Sequence, residues 1–199
     1  MSASAVNAEI RVDEDSQIFF GDEKTTLKSK LSMDIAKAGI FAMTIDIPEG
    51  FDIDKITGAE IKLWDETTAG GSHKVIINFN KSISGPAEIN LELSAPEQKR
   101  AAEMKAPKIT VKNALRHKGK LALRSERGAR IDILSREGLE IRRDLSDISP
   151  VSSLDSIHNF AILREDWELG IKLETIQSWL QAETLQIAKI SEGTLDFTA

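Results

Sequence analysis

The chain has 199 residues, of which 41% are hydrophobic and 29% are charged, so it is long enough to bury a core and does not have the composition of a disordered or membrane-embedded protein. It contains no cysteine, which excludes disulfide bonds, thiol catalysis and cysteine-ligated metal sites. The net charge of −6 is divided into three blocks: −7 over residues 1–96, +8 over residues 97–143 and −7 over residues 144–199. Opposite charge on neighbouring segments favours docking within or between chains.

The N-terminal part of the chain is predicted to form short paired strands. Glu9–Val12 and Gln17–Phe20 alternate between apolar and polar residues, as half-buried strands do. The acidic cluster Asp13–Asp15 between them predicts a turn. A looser alternation from Thr25 to Ala36 predicts another strand.

The stretch from Phe41 to Trp64 has the clearest pattern, and the rest of the chain is expected to be organised around it. It contains an alternating run, a turn at Pro48–Gly50, an extended step, and a second alternating run that ends at Trp64. Phe41 and Trp64 are expected to be buried anchors of these strands.

Two further strands are predicted at Val75–Phe79 and Ile89–Leu93, separated by a break at Ser84–Pro86. A polar loop is expected over residues 65–72. Strands that recur about every ten residues with turns between them predict a mostly β protein with an antiparallel β-sandwich-like fold, two β-layers or subdomains, and little helix.

The pattern changes near residue 94. Ser94 with Glu97 fits a helix-capping box, so residues 94–107 are interpreted as an exposed connector compatible with a short helix. The predicted organisation is therefore an N-terminal β-sandwich-like domain over residues 1–96, a connector over 97–107 and a C-terminal β-rich domain over 108–199.

The sequence pattern predicts the secondary structure of the last part of the chain less clearly. Residues 176–183 fit helix and strand equally, whereas 184–190 favour a strand. Residues 187–197 have the rhythm of a strand, an acidic turn and a strand. We expect the chain to be one unit of a longer protein.

Catalytic and metal-binding patterns are missing from the sequence. The three histidines, His73, His117 and His158, lack metal-ligand spacing and are expected to be solvated or to cap other groups. The pairs Asp13/Asp15 and Asp52/Asp54 could bind calcium, but solvated acids are the favoured interpretation because neither pair has a full ligand set. No nucleophile elbow or phosphate-binding loop is present, so we predict no enzyme, no cofactor and no metal.

A basic segment is the one feature that suggests a ligand. Its six basic residues fall within 15 positions and could contact phosphate or sulfate polymers. No aromatic residue lies between Phe79 and Phe160 to stack bases, so nucleic acid is an unlikely partner. A charged face that docks acidic neighbours is the preferred interpretation, and polyanion or polysaccharide binding is the alternative. The candidate residues are Arg116, Lys118, Lys120, Arg124, Arg127 and Arg130.

Four segments together resemble β-rich modules of very large, mostly uncharacterised bacterial envelope proteins. They are Ile47–Ile53, Ile56–Trp64, Leu115–Leu123 and Phe160–Leu169. The resemblance implies a β-sandwich-like module within a longer, extracytoplasmic chain, and it implies no catalytic residue. The predicted function is a non-enzymatic structural or interaction module whose partners are other protein domains or neighbouring repeat units, without membrane insertion.

Overall fold

The computed structural model describes residues 7–58, 60–69, 72–96, 103–126, 128–142, 157–175, 188–191 and 194–197. Within these ranges the chain forms fourteen β-strands and no helix, which confirms the predicted mostly β class. The strands are β1 Glu9–Phe20, β2 Lys24–Ile47, β3 Asp52–Gly58, β4 Ile61–Ala69, β5 Ser72–Pro96, β6 Glu103–Lys105, β7 Thr110–Val111, β8 Ala114–Ser125, β9 Ala129–Glu137, β10 Leu139–Arg142, β11 Ile157–Ile162, β12 Glu168–Thr175, β13 Ala188–Ser191 and β14 Thr194–Phe197.

Most strands belong to one nine-stranded sheet. Its order is β10-β11-β8-β1-β2-β5-β3, with β4 added to β5 and β7 added to β2. A three-stranded sheet, β6-β12-β9, supplies the second layer of the sandwich-like fold, and β13 pairs with β14. All pairs are antiparallel except β1 with β8, which run parallel. A parallel pair needs a long connection, and residues 21–113 provide it.

The long strands β2 and β5 curve back on themselves. A straight strand of the length of β2 would span roughly 80 Å, yet Thr25 and Pro48, from its two ends, line the same cleft. Lys37 in β2 and Gly85 in β5 have positive φ angles of 67° and 79°, which mark the bends. The predicted break at Ser84–Pro86 is therefore a bend inside one continuous strand.

The core lies between the inward faces of the sheets and forms one hydrophobic cluster. Strand β1 contributes every second residue to it without interruption, so the predicted turn at Asp13–Asp15 is wrong. These three acids continue the strand because each is hydrogen-bonded in the ladders to β2 and β8. Asp52 and Asp54 likewise belong to a strand, β3, and not to a turn.

The expected anchors Phe41 and Trp64 are not core residues. Phe41 is 68% exposed and lies at a shift in the β2–β5 register, where it has no strand partner. Trp64 is 36% exposed because its strand, β4, lies at the edge of the sheet. Trp167 is 1% exposed and is a core residue.

The segment around the predicted connector is extended. Ser94 and Pro96 belong to β5, so the capping-box interpretation is wrong, and Glu103–Lys105 forms β6, which pairs with β12. Residues 97–102 lie outside the described part of the chain. The division into residues 1–96, 97–107 and 108–199 stays a prediction, although β8 from the second part pairs directly with β1 from the first.

The structure also tests the predictions for residues 65–72 and for the C-terminal strands. The expected polar loop over residues 65–72 is wrong, because β4 continues to Ala69 and β5 begins at Ser72. The strand, turn and strand expected near the C-terminus correspond to the β13–β14 hairpin. The undecided residues 176–183 lie outside the described residues.

Candidate functional site

The predicted polyanion residues do not form one cluster. Arg116, Lys118, Lys120 and Arg124 alternate with buried residues on β8, so they share the outer face of the nine-stranded sheet. Arg130 lies on β9, in the other sheet. Arg127, the sixth candidate, lies outside the described residues. The sequence placed these residues close together, but the fold divides them between two surfaces.

Acidic partners engage two of the five described candidates, Lys118 and Arg130. Lys118 Nζ lies 3.2 Å from a carboxylate oxygen of Asp13 on the neighbouring strand β1. Arg130 binds Asp132 at 3.0 Å and Glu174 at 2.9 Å. The hydrogen bond with Asp132, followed by the charges of Asp132 and Glu174, raises the pKa of Arg130. Basic residues that already have carboxylate partners are poorly available to a polyanion.

The same pairing of opposite charges continues across the outer face of the sheet. Lys30 Nζ on β2 lies 2.7 Å from Glu88 on β5, and this hydrogen bond is the main reason that the pKa of Glu88 is lowered. Lys28 and Glu92 form a looser pair at 3.6 Å. Such exposed pairs contribute little to stability individually, but they leave the outer face electrically balanced.

The inner face of β1 carries a buried polar cluster that we call the Glu14 cluster: Glu14, Ser16, Ser29 and His117. Glu14 Oε2 lies 2.7 Å from His117 Nε2, and both side chains are 1% exposed. Ser16 Oγ donates to Glu14 Oε1, and a second hydrogen bond of 2.7 Å joins Ser16 to Ser29. His117 Nδ1 has no hydrogen-bond partner among the described residues.

The Glu14 cluster has the residue types of a hydrolytic triad in an order that does not support hydrolysis. In such a triad the histidine lies between the serine and the acid, because the imidazole must take the proton of the attacking hydroxyl. Here the carboxylate lies between Ser16 and His117. The cluster is also closed to solvent, so its geometry supports a structural role.

Sequence reasoning missed this cluster. His117 was expected to be solvated or to act as a cap, and this expectation is wrong because the ring lies in the core. One signal was available: Ile10, Val12 and Ile18 continue an inward alternation that passes through Glu14 and Ser16. The acidic triplet Asp13–Asp15 is also a turn signal, and this second pattern hides the alternation.

The two other histidines also have partners. His73 Nε2 lies 3.3 Å from Glu66 across the β4–β5 pair. His158 Nε2 lies 3.0 Å from the carbonyl oxygen of Ile131, so it connects β11 in the large sheet with β9 in the small one. The described residues contain no group of three or more histidine, aspartate or glutamate side chains placed to hold a metal ion.

A second candidate surface lies at the edge strand β4. This nine-residue strand pairs with β5 along one side, and its other side pairs with no strand that the structure describes. Three exposed large apolar residues lie on β4 and on the part of β5 that pairs with it. They are Leu63, Trp64 and Ile76.

Register explains why these side chains are exposed. Leu63 lies opposite Asn78, and Ile76 lies opposite Asp65, so both apolar residues point to the outer face of the sheet. They are 43% and 36% exposed, respectively. Trp64 lies opposite the fully buried Ile77 and points to the inner face, but the sheet ends beside it and leaves part of the ring in solvent.

Comparison with known proteins identifies the fold and no family. No protein-family model and no curated protein matches the sequence. A two-domain M1 zinc metallopeptidase with bound L-tryptophan superposes with a TM-score of 0.51 at 6% identity, over 85% of this chain and 44% of that one. An M1 zinc metallopeptidase from Deinococcus radiodurans gives a TM-score of 0.50 at 7% identity, over 82% and 42%.

These likenesses concern the fold alone, because identity is so low. The chain spans less than half the length of the peptidases, so the comparison gives no ground for peptidase activity here. A non-cellulosomal cohesin from Archaeoglobus fulgidus matches at 12% identity over 58% of this chain and 91% of that one, but its TM-score of 0.36 is too low to carry an argument.

In the part of the chain described here, no helix is long and apolar enough to cross a bilayer.

Proposed function

We propose that this protein is a non-enzymatic interaction module that docks another protein domain along the edge strand β4. The observation that carries the proposal is that one edge of β4 pairs with no described strand, while Leu63 and Trp64 on this strand are exposed. An edge strand presents a row of backbone donors and acceptors that a second chain can pair with. Leu63 on the outer face and Trp64 on the inner face add apolar area that such a partner can bury.

The charges of β4 favour a specific partner. Lys62, Asp65 and Glu66 interrupt the apolar residues of the strand, and Asp65 accepts a hydrogen bond of 3.2 Å from Asn78. Charges on an edge strand oppose indiscriminate pairing with other strands, and they select a partner whose charges match. We infer that the partner supplies an extended segment or an edge strand of its own.

The setting of the module is part of the proposal. The resemblance to modules of large envelope proteins supports a place in a longer, extracytoplasmic chain, where the partner would be a neighbouring unit or another envelope domain. The charge-balanced outer face supports protein contacts better than contacts with a polymer of uniform negative charge.

Photo-crosslinking tests the docking surface. With a photo-reactive amino acid at Leu63, we expect one discrete protein adduct in the cells that produce the full-length protein. The same amino acid at Leu115, an exposed leucine outside this edge, is the matched control and should give none. Trp64→Asp should remove the Leu63 adduct while leaving the circular dichroism spectrum unchanged. Equal adducts at both leucines would contradict the proposal. An adduct with twice the mass of this chain would identify the partner as a second copy of it.

Polyanion or polysaccharide binding is the second candidate function. The observation in its favour is that Arg116, Lys120 and Arg124 have no carboxylate partner among the residues that the structure describes, and Arg124 Nε is buried without an acceptor. Three cations on one strand are few, and an acidic residue of β1 lies beside one of them: Asp15 is opposite Lys120, whereas Arg11 is opposite Arg116.

Heparin chromatography tests this second candidate. We expect the purified protein to elute below about 150 mM salt, the physiological ionic strength. Retention well above that salt, with affinity that falls steeply as salt rises, would favour the polyanion function. In that case Arg124→Gln should weaken retention, whereas Arg130→Gln, on the other sheet and paired with two carboxylates, should leave it unchanged.

A further inference from the structure

A cleft of about 410 Å³ opens where four separate segments of the chain meet. This volume lies within the range of small-molecule sites, roughly 300–1,000 Å³. The segments are the β1–β2 turn, the turn after β2, the residues that follow β6, and the residues that lead into β12. Five buried apolar residues contribute to its wall: Phe20, Phe51, Ala106, Trp167 and Leu169.

One hydroxyl in the cleft wall lacks a hydrogen-bond partner. Thr25 is 1% exposed, and its Oγ1 makes no hydrogen bond to any residue that the structure describes. Burying a hydroxyl without a partner costs free energy, and most buried polar atoms in folded proteins avoid that cost. Because Thr25 lines the cleft, a molecule bound there is a candidate partner for this hydroxyl.

The two lysines of the cleft, Lys105 and Lys108, differ in whether they pair with a carboxylate. Lys105 Nζ binds both carboxylate oxygens of Glu168 at 2.9 and 2.8 Å, and this hydrogen bond is the main cause of the lowered pKa of Glu168. Lys108 Nζ donates to the carbonyl oxygen of Trp167 at 3.1 Å and lies 5.8 Å from the centre of its ring. No carboxylate among the described residues lies within ion-pair distance of Lys108.

We propose that this cleft binds a small amphipathic carboxylate. The apolar body of the ligand would lie against the wall formed by Phe51, Trp167 and their neighbours. Its carboxylate would pair with Lys108 and accept the hydrogen bond that Thr25 has available. Lys108 selects this class, because it lies beside the apolar wall and, unlike Lys105, has no carboxylate within ion-pair distance among the described residues. The other charged residues of the lining are Glu168, which Lys105 engages, and the exposed Glu49. The cleft is built from other segments than β4, so it is independent of the docking surface.

Probe ligands of equal chain length test the proposed class. Octanoate, octanol and octyltrimethylammonium share an alkyl chain and differ in charge. By titration calorimetry we expect octanoate to bind saturably and octanol to bind at least about tenfold more weakly. We expect no binding of octyltrimethylammonium. The fluorescence of Trp167, isolated in a Trp64→Phe, Trp179→Phe background, should respond to octanoate because the indole lies in the cleft wall.

Two lysine variants provide a matched comparison. Lys108→Met keeps the length of the side chain and removes its charge, so it should weaken octanoate about tenfold and leave octanol unchanged. Lys112→Met should change octanoate binding less than twofold, because Lys112 pairs with Asp46 and does not line the cleft. Equal octanoate and octanol affinity, an absence of saturable binding, or equal effects of the two lysine variants would overturn the proposal.

Thr25→Val supplies a signature that a merely structural threonine would not give. Valine has nearly the same shape and lacks the hydroxyl, so it should raise the urea midpoint of unfolding and yet weaken octanoate binding. A lowered midpoint would show that the hydroxyl has a partner inside the protein, and unchanged binding would show that it does not face the ligand. Either result would contradict the proposed role of Thr25.

Discussion

Truncation of either member of the buried Glu14–His117 pair is expected to lower the free energy of unfolding by about 3–5 kcal/mol. Among the described residues, His117→Ala leaves the Glu14 carboxylate in the core with the Ser16 hydroxyl as its one side-chain donor, and Glu14→Ala leaves the His117 imidazole with no partner on either nitrogen. In each case a polar group that cannot reach solvent loses the hydrogen bond that offset the cost of its desolvation. Urea denaturation followed by circular dichroism measures the effect.

The adjacent pair on the opposite face is a matched control. Asp13 and Lys118 are the sequence neighbours of Glu14 and His117 on the same two strands, 3.2 Å apart and exposed. Asp13→Ala should cost less than about 1 kcal/mol. The double variant Glu14→Met, His117→Leu should be more stable than either truncation, because an apolar pair of similar volume leaves no orphaned charge. Additive losses in that double variant would contradict this account of the cluster.

Gly119→Ala is expected to have an effect of similar size, about 3 kcal/mol or more, at the upper end for overpacked positions. Gly119 lies directly opposite Glu14 in the parallel β1–β8 register. An added Cβ would overlap the carbonyl oxygen of Glu14 and stand 2.6 Å from its nitrogen. Because these atoms are backbone atoms of the central strand, they cannot retreat without breaking a ladder. Thermal or urea unfolding of the purified variant measures the loss.

Gly85→Ala separates the overlap from the backbone conformation. Gly85 has a positive φ of 79°, and nothing lies within 4 Å of the position that its Cβ would occupy. Its substitution should cost only the conformational term, about 1–2 kcal/mol. If Gly119→Ala were no more destabilising than Gly85→Ala, the close approach to Glu14 would not be what requires glycine at position 119.

The strand class was predictable because alternation with a period of two is a local property. It placed Thr25–Ala36, Val75–Phe79 and Ile89–Leu93 correctly, and their spacing indicated a sandwich-like fold. The continuity of β5 was not predictable, since Gly85 and Pro86 normally end a strand. Here the positive φ of Gly85 bends the chain while the pairing with β2 continues on both sides of the bend.

The candidate sites depended on contacts that no local pattern contains. The cleft takes its residues from Thr25, Phe51, Lys108 and Trp167, which only the folded chain brings together. The Glu14 cluster needs the parallel pairing of β1 with β8, which joins residues far apart in sequence. The exposure of Trp64 depends on β4 being an edge strand, which the alternation of its residues cannot reveal.

The parallel β1–β8 pair also has a consequence for biosynthesis. Glu14 and His117 are 103 positions apart, so a chain that emerges from the ribosome must carry β1 with one edge unpaired until β8 has been made. Contacts between distant residues slow folding, and an open strand edge exposes the nascent chain to aggregation. The edge of β1 that pairs with β8 therefore stays open during translation until β8 has been made, and the nascent chain is exposed to aggregation for that interval.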